Sequence, residues 1–284
     1  MRVLITGARG QVAQAMLACA PAGHEVIARD RAQLDLADPR AIGDTIRTIR
    51  PDWVVNAGAF TQVDAAEADE ALAMAVNAEA PRAMAEALAQ TGGRLLQIST
   101  DYVFDGAAQR PYRPHDVPNP LSAYGSSKLL GEQAAGPGAL VVRSGWLYAA
   151  QGRNFVHAML ARMAEQTEVR VVADQIGTPT WVGSLAEALW SLMRARATGL
   201  YHFRDGGEAS WYDFAQAIGE EATALGLLDA MPRIVPILAS EFPTAAQRPR
   251  YSVLDDSETR ALLGQPPVPW RINLRRVIEA VACG

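Results

Sequence analysis

Short runs of β-branched and other apolar residues alternate with longer alanine-rich stretches up to about residue 145. The short runs have the length of strands, whereas the long stretches repeat apolar residues at the period of a helix. This alternation is typical of a parallel sheet covered by helices on both faces. The predicted strands are 2–6, 25–28, 53–56, 95–99 and 140–143. The predicted helices lie near 11–20, 39–49, 70–90 and 124–135.

Beyond residue 150 the pattern is less regular, and several prolines interrupt it. We therefore predict an α/β fold with a Rossmann-type doubly wound parallel sheet over residues 1–148. A smaller C-terminal lobe that mainly binds substrate is predicted over residues 149–284, with some segments able to return to the sheet. No Gly/Ser linker separates the two parts, so we expect them to pack together around a cleft at the carboxyl ends of the strands.

The first predicted strand leads directly into a glycine turn, in which Gly7, Gly10 and Ala13 have the spacing GxxGxxA. Gly7 permits the tight turn, and Gly10 lacks the Cβ that would keep a pyrophosphate from the backbone. Gln11 then opens a helix whose first N–H groups can bind phosphate. Because the turn lies between a strand and a helix, it predicts a dinucleotide site.

The ends of the next two strands carry further candidates for cofactor binding. Asp30 could hold an adenosine ribose, whereas its neighbour Arg31 would favour a 2′-phosphate, so NADH and NADPH both stay open. Asp35 is predicted near the adenine, with a helix cap before Pro39 as the alternative. The third strand is followed by the small residues Ala57, Gly58 and Ala59. They leave room for a flat ligand, although packing alone would also explain them.

Candidates for proton transfer follow the fourth strand. Tyr124 and Lys128 are four residues apart at the start of a predicted helix, so their side chains share one face. An adjacent ammonium would lower the pKa of the tyrosine, which is about 10 in water. Thr100 leaves a strand end at the same rim and could donate a hydrogen bond to a carbonyl oxygen. Together the three side chains predict a site for reducing a ketone.

The net charge of −5 is spread along the chain without a basic run, which argues against a nucleic-acid partner. No segment supplies the roughly 20 apolar residues of a membrane span. The short apolar stretch at the N-terminus does not have the form of a signal peptide, so we expect a cytoplasmic protein.

The chain resembles the extended short-chain dehydrogenase/reductase family, and within it the reductases of nucleotide sugars. The resemblance covers nearly the whole length. Three of its segments are typical of a smaller group of proteins within that family. The segments that carry it are TGARGQVA, NAGAFTQVDAAE, STDYVFDG, YGSSKLLGE, RSGWLY, DQIGTPT and Arg248-Pro249.

The resemblance implies an NAD(P)H-dependent reduction of a keto group at C4 of a nucleotide-linked sugar, in carbohydrate biosynthesis. Tyr124 would donate the proton, assisted by Lys128 and Thr100. The implied cofactor-binding residues are Gly7, Arg9, Gly10, Gln11, Val12, Asp30, Asp35, Leu36, Ala57, Gly58, Ala59, Tyr124 and Lys128. The implied substrate-binding residues are Thr100, Asp101, Trp146 and Arg248. Arg248 is the candidate for the substrate pyrophosphate, with Arg204 and Arg113 as alternatives.

Two departures narrow the prediction. Tyr102 stands where the dehydratases of this family carry a glutamate, so dehydration is disfavoured. Residues 11–20 contain no Asp or Glu, so we expect no metal of the kind that some relatives hold at a dimer contact.

A second copy of the chain remains a candidate partner. Two alternative functions stay open: another nucleotide-sugar ketoreductase or epimerase, and a regulatory subunit that binds dinucleotide without catalysis.

Overall fold

The structure, a computed structural model, describes residues 1–283. Its strands are β1 (Arg2–Thr6), β2 (Glu25–Arg29), β3 (Trp53–Asn56), β4 (Arg94–Thr100), β5 (Leu140–Ser144), β6 (Leu147–Tyr148), β7 (Glu168–Val172), β8 (Ile176–Gly177), β9 (Thr180–Trp181), β10 (Gly199–His202), β11 (Ala209–Ser210) and β12 (Arg233–Ile237). Its α-helices are α1 (Gln11–Ala18), α2 (Pro39–Ile49), α3 (Val63–Ala68), α4 (Glu70–Met74), α5 (Ala80–Thr91), α6 (Ala123–Ala135), α7 (Phe155–Glu165), α8 (Val182–Arg194), α9 (Trp211–Ala224), α10 (Ser257–Leu263) and α11 (Trp270–Cys283).

Six strands form one parallel sheet in the order β2-β1-β3-β4-β5-β10. The order reverses between β1 and β3, where open α/β sheets bind ligands. One face of the sheet packs on α1 and α8, and the other packs on α2 and α5. The Rossmann-type doubly wound fold is therefore confirmed.

The predicted strands and helices of the first half are present, with shifts at their ends. The first helix ends at Ala18, two residues earlier than predicted, and Ala20 precedes Pro21, which disfavours helical backbone there. The long helix predicted from residue 70 is interrupted by a π-helical turn over Ala75–Glu79. Such turns inside helices often mark functional sites.

A second core lies between α7, α9 and α11 in the later half of the chain. Two segments beyond residue 148 nevertheless belong to the Rossmann part of the molecule, because β10 pairs with β5 in the sheet and α8 packs against α1 on one face of it. The division of the chain at residue 148 stays a prediction, and its last residue, Gly284, lies outside the described part. No helix within residues 1–283 is long and apolar enough to cross a membrane.

Candidate active site

A cavity of about 700 Å³ opens at the carboxyl ends of β1, β3, β4 and β5. Most of the predicted site residues line it: Gly7, Arg9, Gly10, Gln11, Val12, Asp30, Ala57, Gly58, Ala59, Thr100, Asp101, Tyr124, Lys128 and Trp146. We call it the central cavity. Asp35 and Leu36 line a smaller pocket of about 150 Å³, which shares Gly7, Gly58 and Arg31 with the central cavity.

The glycine turn and the end of β3 are in close backbone contact. Gly7 has a φ of +66°, and a Cβ on it would lie 2.6 Å from the Cα of Gly58. A Cβ on Gly58 would in turn lie 2.5 Å from the side chain of Leu36. The helix α1 begins at this turn without a side-chain cap and without an acidic residue in its first turn. Its N–H groups and dipole therefore suit the pyrophosphate of a dinucleotide.

The carboxylate of Asp30 is paired with an arginine of the glycine turn. It forms an ion pair with Arg9 at 2.8 Å and accepts the backbone N–H of Ala32 at 3.0 Å. Arg31 lines both the central cavity and the smaller pocket. Asp30 is thus partly neutralised by Arg9.

Asp35 does not cap the helix α2, so the alternative interpretation of this residue is wrong. Asp38 is the cap, because its carboxylate accepts the N–H groups of Arg40 and Ala41. Asp35 instead accepts the N–H of Ala37 in the preceding turn and lines the smaller pocket.

Tyr124 and Lys128 lie on the buried face of α6, whose start is fixed by two side chains. Ser122 accepts the N–H of Gly125 at 3.1 Å, and Glu67 accepts the N–H of Ala123 at 2.8 Å. Both acceptors satisfy N–H groups that the first turn of a helix leaves unpaired. Tyr124 and Lys128 are therefore held on a helix with a well-defined beginning.

The phenol of Tyr124 lies beside the hydroxyl of Thr100, and that contact lowers the pKa of the phenol. Burial is the larger effect and raises the pKa of Tyr124 to about 12. The ammonium of Lys128 donates to the carbonyl of Ile98 at 2.6 Å, and burial lowers the pKa of Lys128 to about 8. The pKa of Tyr124 is therefore raised in this structure and not lowered as expected, because desolvation outweighs the effects of the neighbouring groups.

Asp101 is a buried carboxyl group in the wall of the central cavity. Thr100 donates its hydroxyl to the Asp101 carboxylate at 3.1 Å, and Ser252 also hydrogen-bonds to it. Burial nevertheless raises the pKa of Asp101 to about 6. A Cβ on Gly145 would lie 2.5 Å from this carboxylate, so the glycine before Trp146 leaves the space that Asp101 occupies.

A buried chain of hydrogen bonds, which the sequence did not reveal, connects the glycine turn to the lysine. Thr6 donates to Asn56 at 2.7 Å, and Asn56 donates to Gln97 at 2.8 Å. Gln97 donates to the carbonyl of Ile98 at 2.9 Å, and the same carbonyl accepts the ammonium of Lys128. We call these contacts the polar ladder. It crosses β1, β3 and β4 underneath the central cavity.

Other polar side chains of the site were also missed. The hydroxyls of Ser99 and Ser144 line the central cavity and are buried without a hydrogen-bond partner among the described residues. Buried polar groups are normally paired, so these two hydroxyls suit a polar ligand in the cavity. Asn77, in the π-helical turn, hydrogen-bonds to the backbone of Phe60 and donates to Ser127 on α6.

Arg248 lines a second large cavity of about 570 Å³, which we call the outer cavity. Its guanidinium forms an ion pair with Asp64 at 2.7 Å. Arg204 donates to the backbone carbonyl groups of Leu254 and Gly207, and the more exposed Arg113 lies 3.9 Å from Asp255. Neither alternative arginine is among the residues that line the central or the outer cavity.

Together, the doubly wound fold, the glycine turn and the Thr100, Tyr124 and Lys128 group define a nicotinamide-dependent oxidoreductase of the short-chain dehydrogenase/reductase type. A family model described as the RmlD substrate binding domain matches residues 1–283. The chain belongs to this family of dTDP-4-dehydrorhamnose reductases.

Three relatives illustrate the similarity. The dTDP-4-dehydrorhamnose reductase of Burkholderia thailandensis is 41% identical, over 95% of this chain and 96% of its own length. A Streptomyces antibioticus protein named probable dTDP-4,6-dihydroxy-2-methyloxan-3-one 4-ketoreductase is 42% identical, over 99% and 96%. The solved dTDP-4-dehydrorhamnose reductase of Bacillus anthracis, in complex with NADP, is 34% identical over 98% of both chains, with a TM-score of 0.91.

Proposed function

We propose that this protein reduces the C4 keto group of dTDP-4-dehydro-L-rhamnose to give dTDP-L-rhamnose, using NADPH or NADH. The observation that carries the proposal is the position of Thr100 and Tyr124. Both line the same cavity as the glycine turn, so a ketone beside them can meet a nicotinamide. Family membership supports the choice of substrate.

When bound, the nicotinamide supplies a hydride to C4 of the sugar. Tyr124 donates a proton to the C4 oxygen, so the ketone becomes an alcohol with one hydride and one proton added. A phenol with a pKa of about 12 is protonated at neutral pH and therefore holds the proton that it must give. Lys128, with a pKa of about 8, carries a proton beside the same cavity.

The nucleotide part of the substrate would occupy the outer cavity. This cavity adjoins the central one, since Phe155 and Trp211 line both. Arg162 and Arg248 are among the residues that line it, and guanidinium groups bind phosphates well. We propose that Arg248 contacts the diphosphate while it remains paired with Asp64.

A second candidate is the reduction of a different dTDP-linked keto sugar. It is favoured by the Streptomyces antibioticus relative, which is as similar as the reductase from Burkholderia thailandensis and carries a different substrate in its name. Both candidates use the same residues for proton transfer. The substrate alone distinguishes them.

The test follows NADPH and NADH absorbance with dTDP-4-dehydro-L-rhamnose and, in parallel, with other dTDP-linked keto sugars. The proposal predicts that the rhamnose precursor gives the highest kcat/KM, with dTDP-L-rhamnose as the product identified by NMR. A higher kcat/KM with another keto sugar would favour the second candidate. Dinucleotide binding without turnover of any keto sugar would contradict both and favour a regulatory subunit.

A further inference from the structure

Two tryptophans stack face to face at the boundary between the central and the outer cavity. The ring centroids of Trp146 and Trp211 are 3.5 Å apart, and the ring planes differ by 3°. Trp146 lines the central cavity, whereas Trp211 lines both. Phe155 packs on Trp211 with its centroid 4.6 Å away and also lines both cavities. The stacked pair therefore forms a wall that the two cavities share.

The backbone holds each indole in place. Trp211 is the first residue of α9, and the start of this helix is fixed by a reciprocal capping box between Ser210 and Asp213. Trp146 has a φ of +52°, a left-handed conformation that is costly for a residue with a large side chain. Such a backbone conformation persists only where the surrounding structure fixes it.

Gly177 also leaves room for the Trp146 ring, along the edge that carries the indole nitrogen. A Cβ on Gly177 would lie 2.4 Å from the indole of Trp146. Gly177 is on β8, which pairs with β11 immediately before Trp211. The DQIGTPT segment and the start of α9 therefore cooperate to orient one ring that faces the central cavity.

We propose that Trp211 is a specificity-determining positioning residue. It holds the indole of Trp146 against the sugar and forms the ridge over which one nucleotide sugar extends from the outer to the central cavity. This inference rests on the proposed function. An aromatic face suits the C–H face of a sugar ring, so a fixed indole presents the keto group at C4 to Tyr124 in one orientation.

The kinetic test compares Trp211→Phe, Trp211→Leu, Trp146→Leu and the double variant Trp211→Leu/Trp146→Leu. We expect Trp211→Leu to raise KM for the nucleotide sugar about tenfold and to lower kcat, with Trp211→Phe intermediate. Because Trp211 acts partly through Trp146, the double variant should be less impaired than the product of the two single effects. Trp270→Phe is the matched control, since Trp270 belongs to the same core but is not among the lining residues of either cavity.

A second readout does not depend on turnover. The indole N–H signal of Trp146, identified by its loss in Trp146→Leu, should move in NMR spectra of Trp211→Leu because the ring current of Trp211 is removed. Addition of dTDP should shift the Trp211 signal in the wild type. An unmoved Trp146 signal in Trp211→Leu would overturn the inference, as would unchanged kinetics in a folded Trp211→Leu protein.

The two proposals can fail separately. If dTDP shifts the Trp211 signal but dTDP-4-dehydro-L-rhamnose is not reduced, the choice of substrate is wrong while the wall still binds a nucleotide. If the rhamnose precursor is reduced but Trp211→Leu behaves like Trp270→Phe, the activity stands and the role of Trp211 is wrong.

Discussion

Asp64 and Arg248 form a bidentate ion pair, although they are far apart in the chain. The two nitrogens of Arg248 lie 2.7 and 3.3 Å from the two carboxylate oxygens, and Asp64 also accepts the N–H of Ala246. Asp64 follows the end of β3 on α3, whereas Arg248 belongs to the loop that lines the outer cavity. The pair therefore attaches this loop to the Rossmann part of the molecule.

Asp64→Asn should raise KM for the nucleotide sugar by roughly tenfold while kcat changes little, because the substitution loosens the loop that lines the outer cavity. The free energy of unfolding should fall by less than about 1 kcal/mol, since the pair is partly exposed. Steady-state kinetics and urea unfolding measure the two effects. Asp44→Asn, which removes an exposed ion pair on α2, is the control. An unchanged KM would contradict the role assigned to the pair.

The activity should fall at alkaline pH because Lys128 loses its proton. Burial lowers the pKa of Lys128 to about 8, so the ammonium predominates below that pH and the amine above it. We expect kcat/KM to decrease as the pH rises through about 8, and this decrease should be absent from the residual activity of Lys128→Met. A kcat/KM that stays constant from pH 7 to about 10 would contradict the requirement for the ammonium.

Gln97→Leu tests the polar ladder. The carbonyl of Ile98 accepts from both Gln97 and Lys128, so removal of one donor leaves it more available to the ammonium. We therefore expect the alkaline decrease of kcat/KM to move to higher pH, together with a loss of about 1–3 kcal/mol in stability from the unpaired Asn56. A loss of stability with an unmoved pH profile would mean that Gln97 is only a structural residue.

Asp101→Asn should change the pH dependence of stability. The pKa of Asp101 is raised from 3.8 to about 6, so between these values the folded protein binds more protons than the unfolded chain. The free energy of unfolding therefore falls as the pH rises through this window, and the destabilisation by the ionised Asp101 reaches its full size above about pH 6. Urea unfolding should find that the stability of Asp101→Asn relative to wild type increases across the window by roughly 3 kcal/mol. A difference independent of pH would contradict the burial of a charged carboxylate.

Local motifs explain why much of the site could be predicted from the sequence. The glycine turn and the Tyr124 and Lys128 pair each lie within one strand–helix junction or one helix, and Thr100 ends the strand between them. The alternation of strands and helices then brings these junctions to one edge of the sheet. The protein's fold and the neighbourhood of these residues followed from that pattern.

Long-range contacts explain what the sequence did not reveal. In the sequence, Gln97 has no feature that distinguishes it from other strand residues. Its hydrogen bond with Asn56 forms only when β3 and β4 pair. Trp211 lies in the less regular half of the chain and acquires its role from a contact with Trp146. The pKa of Tyr124 depends on burial, which spacing along a helix does not predict.

The reduction itself is tested most directly by comparing the wild type with Tyr124→Phe in the presence of NADPH and dTDP-4-dehydro-L-rhamnose. The phenylalanine keeps the ring and removes the proton donor. We expect the wild type to oxidise NADPH and Tyr124→Phe to lose at least about 100-fold in kcat, with dinucleotide binding retained. A Tyr124→Phe protein that reduces the sugar at the wild-type rate would contradict the assignment of Tyr124 as the proton donor.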